Sequence, residues 1–345
     1  MKIKELKGIL KEKSIDNVLF FNLGYGKKDP AVFYFLQKEI EFGCLVLGKD
    51  DFLIVNAAEN IKSKVRIEKM PKKKKLFEVL NKKLKGRTIG LNMEFVSVNL
   101  FKKLKKGVKG KRFKDISKIL MDLRKTKTAG EIGLIRRSCK ISDSILKAFM
   151  KNFKKFKSPL EASLFLKGET GKRGCELAFP PIITQSFKTL HPRPSKDKFK
   201  KGFCIVDFGV RHRGYCSDIT RTLYIGKPSE KEKEIYNLIL SVQRDVIKNL
   251  KMNKKISMVM KDLKRGLGEY EKHLSHGLGH GIGVEVHEPP NLKEESKERI
   301  GENMVFTIEP GVYFRGIGIR IEDDILIKKG KTEVLTKTKK ELVAI

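Results

Sequence analysis

The chain has 345 residues, of which 40% are hydrophobic, and a formal net charge of +35. This length predicts two domains, and the composition is that of a globular protein. The N-terminal stretch MKIKELKGILKEK carries a charge every few positions and no apolar segment, which argues against a signal peptide or a transmembrane helix. We therefore expect a cytoplasmic protein without a membrane partner.

The positive charge would attract any polyanion through counterion release. However, lysine-rich stretches such as 71–75, 101–114 and 151–157 recur along the chain with apolar residues at helix-like spacing, as solvated helix faces do. No nucleic-acid motif accompanies them, so we expect at most non-specific binding of nucleic acid. The five cysteines show no CxxC spacing, which argues against a disulfide framework or a thiolate zinc site.

Residues 1 to about 120 are predicted to form a mixed α/β unit that begins with a helix. Apolar runs predict strands at 17–21, 42–48, 51–56 and 87–92, and helical periodicity predicts helices at 31–39 and 73–84. A polar run, RKTKTAGEI, follows this unit. We therefore predict two domains, 1–122 and 123–345.

The second domain begins with a long amphipathic helix at 131–153. Helix starts are predicted at Ser158, which precedes a proline, and at Ser229 in SEKE. Strand-like sequence fills 178–223, another helix is predicted at 256–270, and strands separated by glycines run from His276 to the end. This domain is therefore α+β, with helices grouped against an antiparallel sheet.

The stretch VDFGVRHRGYCSDITRT (206–222) is predicted to be a β-hairpin that contains two aspartates. With His212-Arg213 as a two-residue loop, Asp207 lies directly opposite Asp218. At about 4 Å and an effective dielectric constant near 20, their repulsion costs roughly 4 kcal/mol. A shared proton, a nearby arginine or a multivalent cation could offset that cost.

All six histidines lie between His191 and His287, and four of them fall within HLSHGLGHGIGVEVHEPP (273–290). The alternating glycines of this stretch exclude a stable helix and favour a strand or turn whose bare backbone lets a ligand approach closely. A nucleotide-binding loop is disfavoured because the spacing is GxGxGxG rather than GxGxxG. We therefore single out His280 and His287 as candidate site residues.

A second hairpin is predicted in FTIEPGVYFRGIGIRIEDDILI (306–327). With Arg315-Gly316 as its loop, Glu309 lies opposite Glu322, which repeats the arrangement of the first hairpin. The two acidic pairs place four carboxylates beside a histidine in one small site. A shared proton or one arginine cannot compensate so much negative charge. Two divalent cations about 3.5–4 Å apart, bridged by carboxylates, would suffice.

The order DFG…GYCSDITRT, HGLGHGIG…HEPP, TIEPG and RIEDD resembles the pita-bread metallopeptidases, in their Xaa-Pro aminopeptidase and prolidase branch. The motifs span residues 207–324 in the family's order and spacing. The resemblance implies a pita-bread catalytic domain, a curved antiparallel sheet backed by helices, and a smaller creatinase-like α/β N-terminal domain. It also suggests a homodimer.

Position by position, the resemblance implies five metal ligands, with Asp218 and Glu322 bridging the two ions. The implied ligands are Asp207, Asp218, His280, Glu309 and Glu322. Among the catalytic residues, His191 and His287 match the histidines that stabilise the oxyanion and donate a proton, Glu309 can also accept a proton, and His276 supports the ligands.

The expected mechanism is hydrolysis by a hydroxide that bridges the metals while these polarise the scissile carbonyl. Oxygen-rich ligation with one imidazole suits manganese best, with cobalt, iron or zinc as alternatives. The expected substrates are short proline-containing peptides. Some dipeptidases of the family place an arginine just after HExP to grip the substrate carboxylate, where this chain has Asn291.

We therefore expect an Xaa-Pro aminopeptidase, although Arg211, Arg213, Arg315 or Arg320 could take the place of the missing arginine. The alternatives are an Xaa-Pro dipeptidase (prolidase) and a methionine aminopeptidase. From another class of function comes a catalytically silent relative that binds RNA or the ribosome. The presence of all five ligands disfavours that last alternative.

Overall fold

The structure is a computed structural model that describes residues 2–24, 26, 28–56, 61–70, 75–185, 192–314 and 316–345. The chain divides into two compact units, Met1–Leu123 and Arg124–Ile345. Within the described ranges, no helix is both long enough and apolar enough to cross a membrane.

The first unit is built on a mixed sheet with short helices. Its strands are β1 (Asn17–Leu23), β2 (Phe42–Gly48), β3 (Phe52–Val55), β4 (Arg66–Lys69), β5 (Thr88–Leu91) and β6 (Arg112–Asp115). Its helices are α1 (Lys2–Glu12), α2 (Pro30–Leu36), α3 (Leu76–Lys83), α4 (Val98–Gly107) and α5 (Ser117–Lys125), whose last two residues belong to the second unit.

The strand order of this sheet is β4-β3-β2-β1-β5-β6, with β2 antiparallel to β1 and to β3 and the other neighbours parallel. All four predicted strands are present in the structure, so the prediction is confirmed. They could be recognised because strands that are covered on both faces are continuous apolar runs. The short polar strands β4 and β6 carry no such run and were therefore not predicted.

In the part of the second unit that the structure describes, there are four α-helices and a series of mostly short strands. The helices are α6 (Ala129–Asn152), α7 (Pro159–Lys172), α8 (Glu230–Lys248) and α9 (Ile256–Leu267), and single 3₁₀ segments cover Phe153–Lys155 and Gly268–His273. The strands are β7 (Glu176–Leu177), β8 (Ile182–Thr184), β9 (Gly202–Phe208), β10 (Val210–His212), β11 (Tyr215–Cys216), β12 (Ile219–Ile225), β13 (Gly279–Gly281), β14 (Glu288–Leu292), β15 (Val305–Ile308), β16 (Gly311–Phe314), β17 (Ile317–Arg320), β18 (Asp323–Lys328), β19 (Lys331–Val334) and β20 (Val343–Ala344).

The strands of this unit form sheets in the orders β20-β12-β9-β8, β14-β13-β15-β18-β19, β11-β10-β7 and β16-β17. Their pairs are antiparallel except for β12 with β20, which is parallel. One apolar core joins α6 and α7 to β9 and β12, and another joins α8 and α9 to β15 and β18. The predicted fold class, helices grouped against a mostly antiparallel sheet, is confirmed.

The predicted helix starts are also confirmed, because the side chains make the capping hydrogen bonds. Ser229 and Glu232 form a complete capping box at the start of α8, and Ser158 accepts a hydrogen bond from the backbone of Glu161 at the start of α7. A further capping box, between Thr128 and Glu131, begins α6 at the first helical turn of the second unit.

Candidate metal centre

The hairpin of β9–β12 turns at Arg213-Gly214, and the predicted loop, His212-Arg213, is wrong by one residue. Both turn residues have positive φ, 48° and 79°, as a two-residue hairpin turn requires. Glycine takes that conformation without strain, which favours the observed loop, Arg213-Gly214, over the predicted loop, which contains His212 in place of Gly214.

The shift of the loop changes which residues face the two aspartates. Asp207 pairs with Thr220, and Asp218 lies where the ladder is interrupted, between the pairs Phe208–Ile219 and Arg211–Cys216. The aspartates are therefore diagonal neighbours rather than a direct pair. The period of two along each strand keeps them on the same face.

Two backbones lie in close contact at this interruption. A Cβ atom on Gly209 would lie 1.9 Å from the carbonyl oxygen of Ser217, so only glycine fits there. At the same point, the backbone N–H of Asp218 donates to the carboxylate of Asp324 at 2.9 Å. The backbone of Asp218 is thus held by β18 rather than by its own hairpin.

The second hairpin keeps the predicted register. Phe314 pairs with Ile317, as the predicted two-residue loop requires, although Arg315 of that loop lies outside the described residues. The same register continues in β15 and β18, where Ile308 pairs with Asp323. Glu309 and Glu322 lie opposite each other in the gap between these two ladders. Their backbone N–H groups bond elsewhere, to Leu278 at 2.8 Å and to Thr220 at 3.1 Å, which ties three segments of the site together.

His280 lies at the centre of β13, between β14 and β15. Its flanking glycines let these strands approach, because a Cβ on Gly279 would lie 2.1 Å from the carbonyl oxygen of Thr307. The Nε2 atom of His280 lies 3.8 Å from Asp218 Oδ2 and 3.4 Å from Glu309 Oε1. Donor atoms of Asp218, His280 and Glu322 all lie within 4.8 Å of one another.

All five predicted ligands line one cavity of about 470 Å³, together with His276 and His287. The exposed ring of His287 packs edge-on against that of His280, with centroids 4.1 Å apart. The Nδ1 atom of His276 lies 3.9 Å from Glu309 Oε2. The remaining predicted site residue, His191, lies outside the described residues.

Burial and mutual repulsion make this cluster electrostatically unfavourable by itself. Burial, and then the nearby Glu322 and Asp207, raise the pKa of Asp218 well above its usual range. The pKa of Glu322 is raised well above its usual range by burial first and then by Glu309 and Asp207. Burial lowers the pKa of His280, which favours the neutral imidazole that a metal binds.

The donor set fits divalent cations. The buried oxygens Asp207 Oδ1 and Asp218 Oδ1 accept no hydrogen bond from any described residue, although such atoms are normally paired. Four carboxylates and one neutral imidazole match the oxygen-rich ligation of hard divalent ions.

Arg320, which we named only as one of four arginines that could grip the substrate carboxylate, lies at the centre of a hydrogen-bond network within the site. This guanidinium donates to the carboxylate of Asp207, to Thr220 Oγ1 at 3.3 Å and to the Tyr313 hydroxyl at 2.9 Å. The same hydroxyl lies 2.9 Å from His276 Nε2, and His276 Nδ1 lies 2.7 Å from the carbonyl oxygen of Gly277. That carbonyl can only accept, so Nδ1 carries a proton, and when the ring is neutral Nε2 accepts from Tyr313.

Thr220 completes this network from the first hairpin. Its hydroxyl lies 2.6 Å from Glu322 Oε2 and also accepts from Arg320. The alternation of RIE in RIEDD places Arg320 and Glu322 on one face, and this signal could have shown that the arginine lies beside the ligands.

Comparison with known proteins agrees with this fold. Residues 133–329 match the model of metallopeptidase family M24, and residues 2–126 match the creatinase/prolidase N-terminal domain. An Xaa-Pro dipeptidase of Pyrococcus horikoshii is 32% identical over 99% of this chain and 98% of its own. The chain therefore belongs to metallopeptidase family M24, whose members use divalent metal ions.

Two solved structures are similar over almost the whole chain. An X-Pro aminopeptidase from Thermotoga maritima has a TM-score of 0.91 at 27% identity and covers 100% of both chains. A prolidase from Pyrococcus horikoshii has a TM-score of 0.90 at 31% identity and covers 99% of both chains. The two-domain architecture expected from the resemblance is confirmed.

Proposed function

We propose that this chain is a metal-dependent Xaa-Pro dipeptidase, a prolidase. The observation that carries the proposal is the convergence of the five predicted ligands on one cavity. Family membership and the name of the 32% identical relative favour the dipeptidase over the aminopeptidase that we first expected. The similarity to an aminopeptidase structure supports the same fold and chemistry but comes with lower sequence identity.

In this proposal, the five ligands would hold two divalent cations, and Asp218 and Glu322 would be the ligands that both cations share. Their oxygen-rich composition favours manganese. When bound, such cations acidify water and polarise a scissile carbonyl. The pair would also neutralise the carboxylates that repel one another in the metal-free site.

The protein groups around the ligands would move protons and hold the substrate. The carboxylate of Glu309, between His276 and His280, accepts the proton of the attacking water. His287, exposed at the cavity, donates a hydrogen bond to the oxyanion, a role that the resemblance also assigns to His191. Arg320 and Tyr313 keep Nε2 of His276 as an acceptor, which fixes the tautomer of that ring.

Lys293 is the group that we propose to recognise the free carboxylate of a dipeptide. Among the described residues lining the cavity, Arg320 and Lys293 are the basic side chains other than histidine, and Arg320 is engaged by Asp207. Lys293 has no carboxylate partner within the described ranges. Its stem packs along Gly277, where a Cβ would lie 3.2 Å from Lys293 Cγ, and it lies two residues beyond the neutral Asn291.

The test compares purified manganese-loaded protein on Xaa-Pro, Xaa-Pro-amide, Xaa-Pro-Yaa and Met-Ala-Yaa. We expect efficient hydrolysis of Xaa-Pro and loss of activity on chelation. Preference for the tripeptide Xaa-Pro-Yaa would instead establish the aminopeptidase. No cleavage of any of the peptides with any divalent metal, combined with tight RNA or ribosome binding at physiological salt, would establish the binding protein.

The variant Lys293→Gln tests carboxylate recognition separately. Loss of one charge-assisted hydrogen bond should raise KM for Xaa-Pro about tenfold and leave KM for Xaa-Pro-amide unchanged. Lys297→Gln is the matched control, because Lys297 is exposed on the same segment and does not line the cavity. An equal change for both substrates would show that Lys293 does not bind the carboxylate.

The homodimer is likewise a proposal that rests on the family resemblance. Light scattering of the purified protein measures its mass in solution, and a mass of one chain at assay concentration would contradict it.

A further inference from the structure

A second buried cluster of charges lies beside the cavity and belongs to none of the roles above. The carboxylate of Glu288 accepts from the guanidinium of Arg124 and, at 3.2 Å, from the ammonium of Lys127. Arg124 also pairs with Glu285 at 2.8 Å. The side chains of Arg124, Lys127 and Glu288 are only 8%, 1% and 2% exposed.

The cluster joins two segments that are far apart in sequence but both belong to the second unit. Arg124 and Lys127 lie at its start, where the N–H of Lys127 donates to the carbonyl of Asn303 at 2.9 Å. Glu288 begins β14, directly after His287, and residues 282–287 form the loop that connects β13 to β14. The charges therefore fix the end of the loop that carries His287.

The loop is folded around the Glu288 carboxylate itself. The backbone N–H of Glu285 donates to that carboxylate at 3.0 Å, and a Cβ on Gly283 would lie 2.5 Å from Glu288 Oε2. From the other side, the N–H of Cys216 donates to the carbonyl of Gly283 at 2.7 Å. The loop is thus held between the first hairpin and the buried cations.

Burial by itself disfavours the negative charge on Glu288. Burial raises the pKa of Glu288, but Arg124 and Lys127 outweigh it and hold that pKa at about 2. Two cations and two carboxylates balance within the cluster, so removing one partner leaves a buried charge uncompensated, which is strongly destabilising.

We infer that Glu288, held by Arg124 and Lys127, is a positioning residue that sets His287 at the cavity. The inference rests on the proposed function, because it gives His287 its task in peptide hydrolysis. Glu288 lies buried in the cluster while its neighbour His287 lines the cavity, so a displacement of the first displaces the second. A misplacement of about 1 Å can cost about 100-fold in rate.

The experiment uses Glu288→Gln and the double variant Lys127→Met/Glu288→Gln, which restores the charge balance of the cluster. We expect the single variant to lose thermal stability and the double variant to regain most of it. In both, kcat for Xaa-Pro should fall about 10- to 100-fold with little change in KM. A double variant that recovers both stability and kcat would overturn the inference, because charge balance alone would then suffice.

A His287→Ala background provides a second criterion. If Glu288 acts through His287, Glu288→Gln should lower kcat less than about twofold in that background, since the two losses are not independent. Additive losses would overturn the inference. The control is Lys254→Met, which breaks a partly buried 2.6 Å ion pair with Asp262 away from the cavity and should leave kcat unchanged.

Ring signals of His287 in ¹⁵N-histidine NMR spectra of the chelated protein keep this test independent of the proposed function. We expect the double variant to shift the His287 signals and Lys254→Met to leave them in place. Unshifted signals in the double variant would overturn the positioning role whether or not the wild type cleaves Xaa-Pro. An inactive wild type with shifted signals would refute only the proposed function.

Discussion

Replacing Asp218 by asparagine is expected to raise the melting temperature of the chelated protein and to remove most of the stabilisation that metal provides. In the metal-free site, Asp218 is 4% exposed and its Oδ1 accepts no hydrogen bond from a described residue. Asparagine has nearly the same shape and carries no charge. The variant therefore removes repulsion, and it also removes the ligand that we propose to bridge the two cations.

The size of the effect follows from the distance to Glu322. Donor atoms of the two side chains lie within 4.8 Å, which at an effective dielectric constant near 20 corresponds to a repulsion of about 3.5 kcal/mol. Partial protonation reduces this, and a gain of about 3 kcal/mol gives a rise of about 6–12 °C for a unit of this size. In the wild type, manganese at about 100 times its Kd adds about 2.7 kcal/mol.

The pH dependence has a definite sign. Burial, Glu322 and Asp207 raise the folded-state pKa of Asp218 above its unfolded value. Its contribution to the stability of the chelated protein is therefore full below about pH 4, the unfolded pKa, and is lost as the pH rises through the folded pKa. The advantage of the variant should be largest at alkaline pH and shrink on acidification.

Scanning calorimetry with chelator and with manganese, at several pH values, measures both effects. Asp245→Asn, an exposed aspartate on α8, is the control and should change neither. A chelated Asp218→Asn protein that melts below the wild type, or that gains as much from manganese, would refute the electrostatic reasoning and the bridging role.

Two further substitutions test the supports of the site. Gly209→Ala should cost about 1–3 kcal/mol in urea unfolding because its Cβ would lie 1.9 Å from the Ser217 carbonyl oxygen. Gly133→Ala in α6, with nothing within 4 Å, should stabilise by up to about 1 kcal/mol; equal midpoints for the two variants would contradict this steric argument. Arg320→Lys keeps the charge beside Asp207 but loses the fork that reaches Thr220 and Tyr313 together, so kcat should fall at least about tenfold while the protein stays folded. An unchanged kcat would show that the network does not orient His276.

Much of the site could be predicted because its determinants are local. The period of two placed Asp207 and Asp218 on one face even though the loop was predicted one residue too early. That error changed the residue opposite Asp207 by two positions, and a shift of two positions leaves every side chain on the same face. The register of the second hairpin was predicted correctly from the position of a single Arg-Gly loop in the sequence. Capping residues and alternating glycines act within a few positions, and so they can be recognised in the chain itself.

The sequence by itself determined the α+β class, the helix starts at Ser158 and Ser229, the faces of the two hairpins and the family. Only the tertiary structure decided that Arg320 neutralises Asp207, that Tyr313 orients His276, and that Arg124 and Lys127 hold Glu288. The last contacts join residues 164 and 161 positions apart. Periodicity predicts which face of a strand a side chain occupies. Which charged residue lies next to that side chain depends on how distant strands are brought together, and no local pattern contains that information.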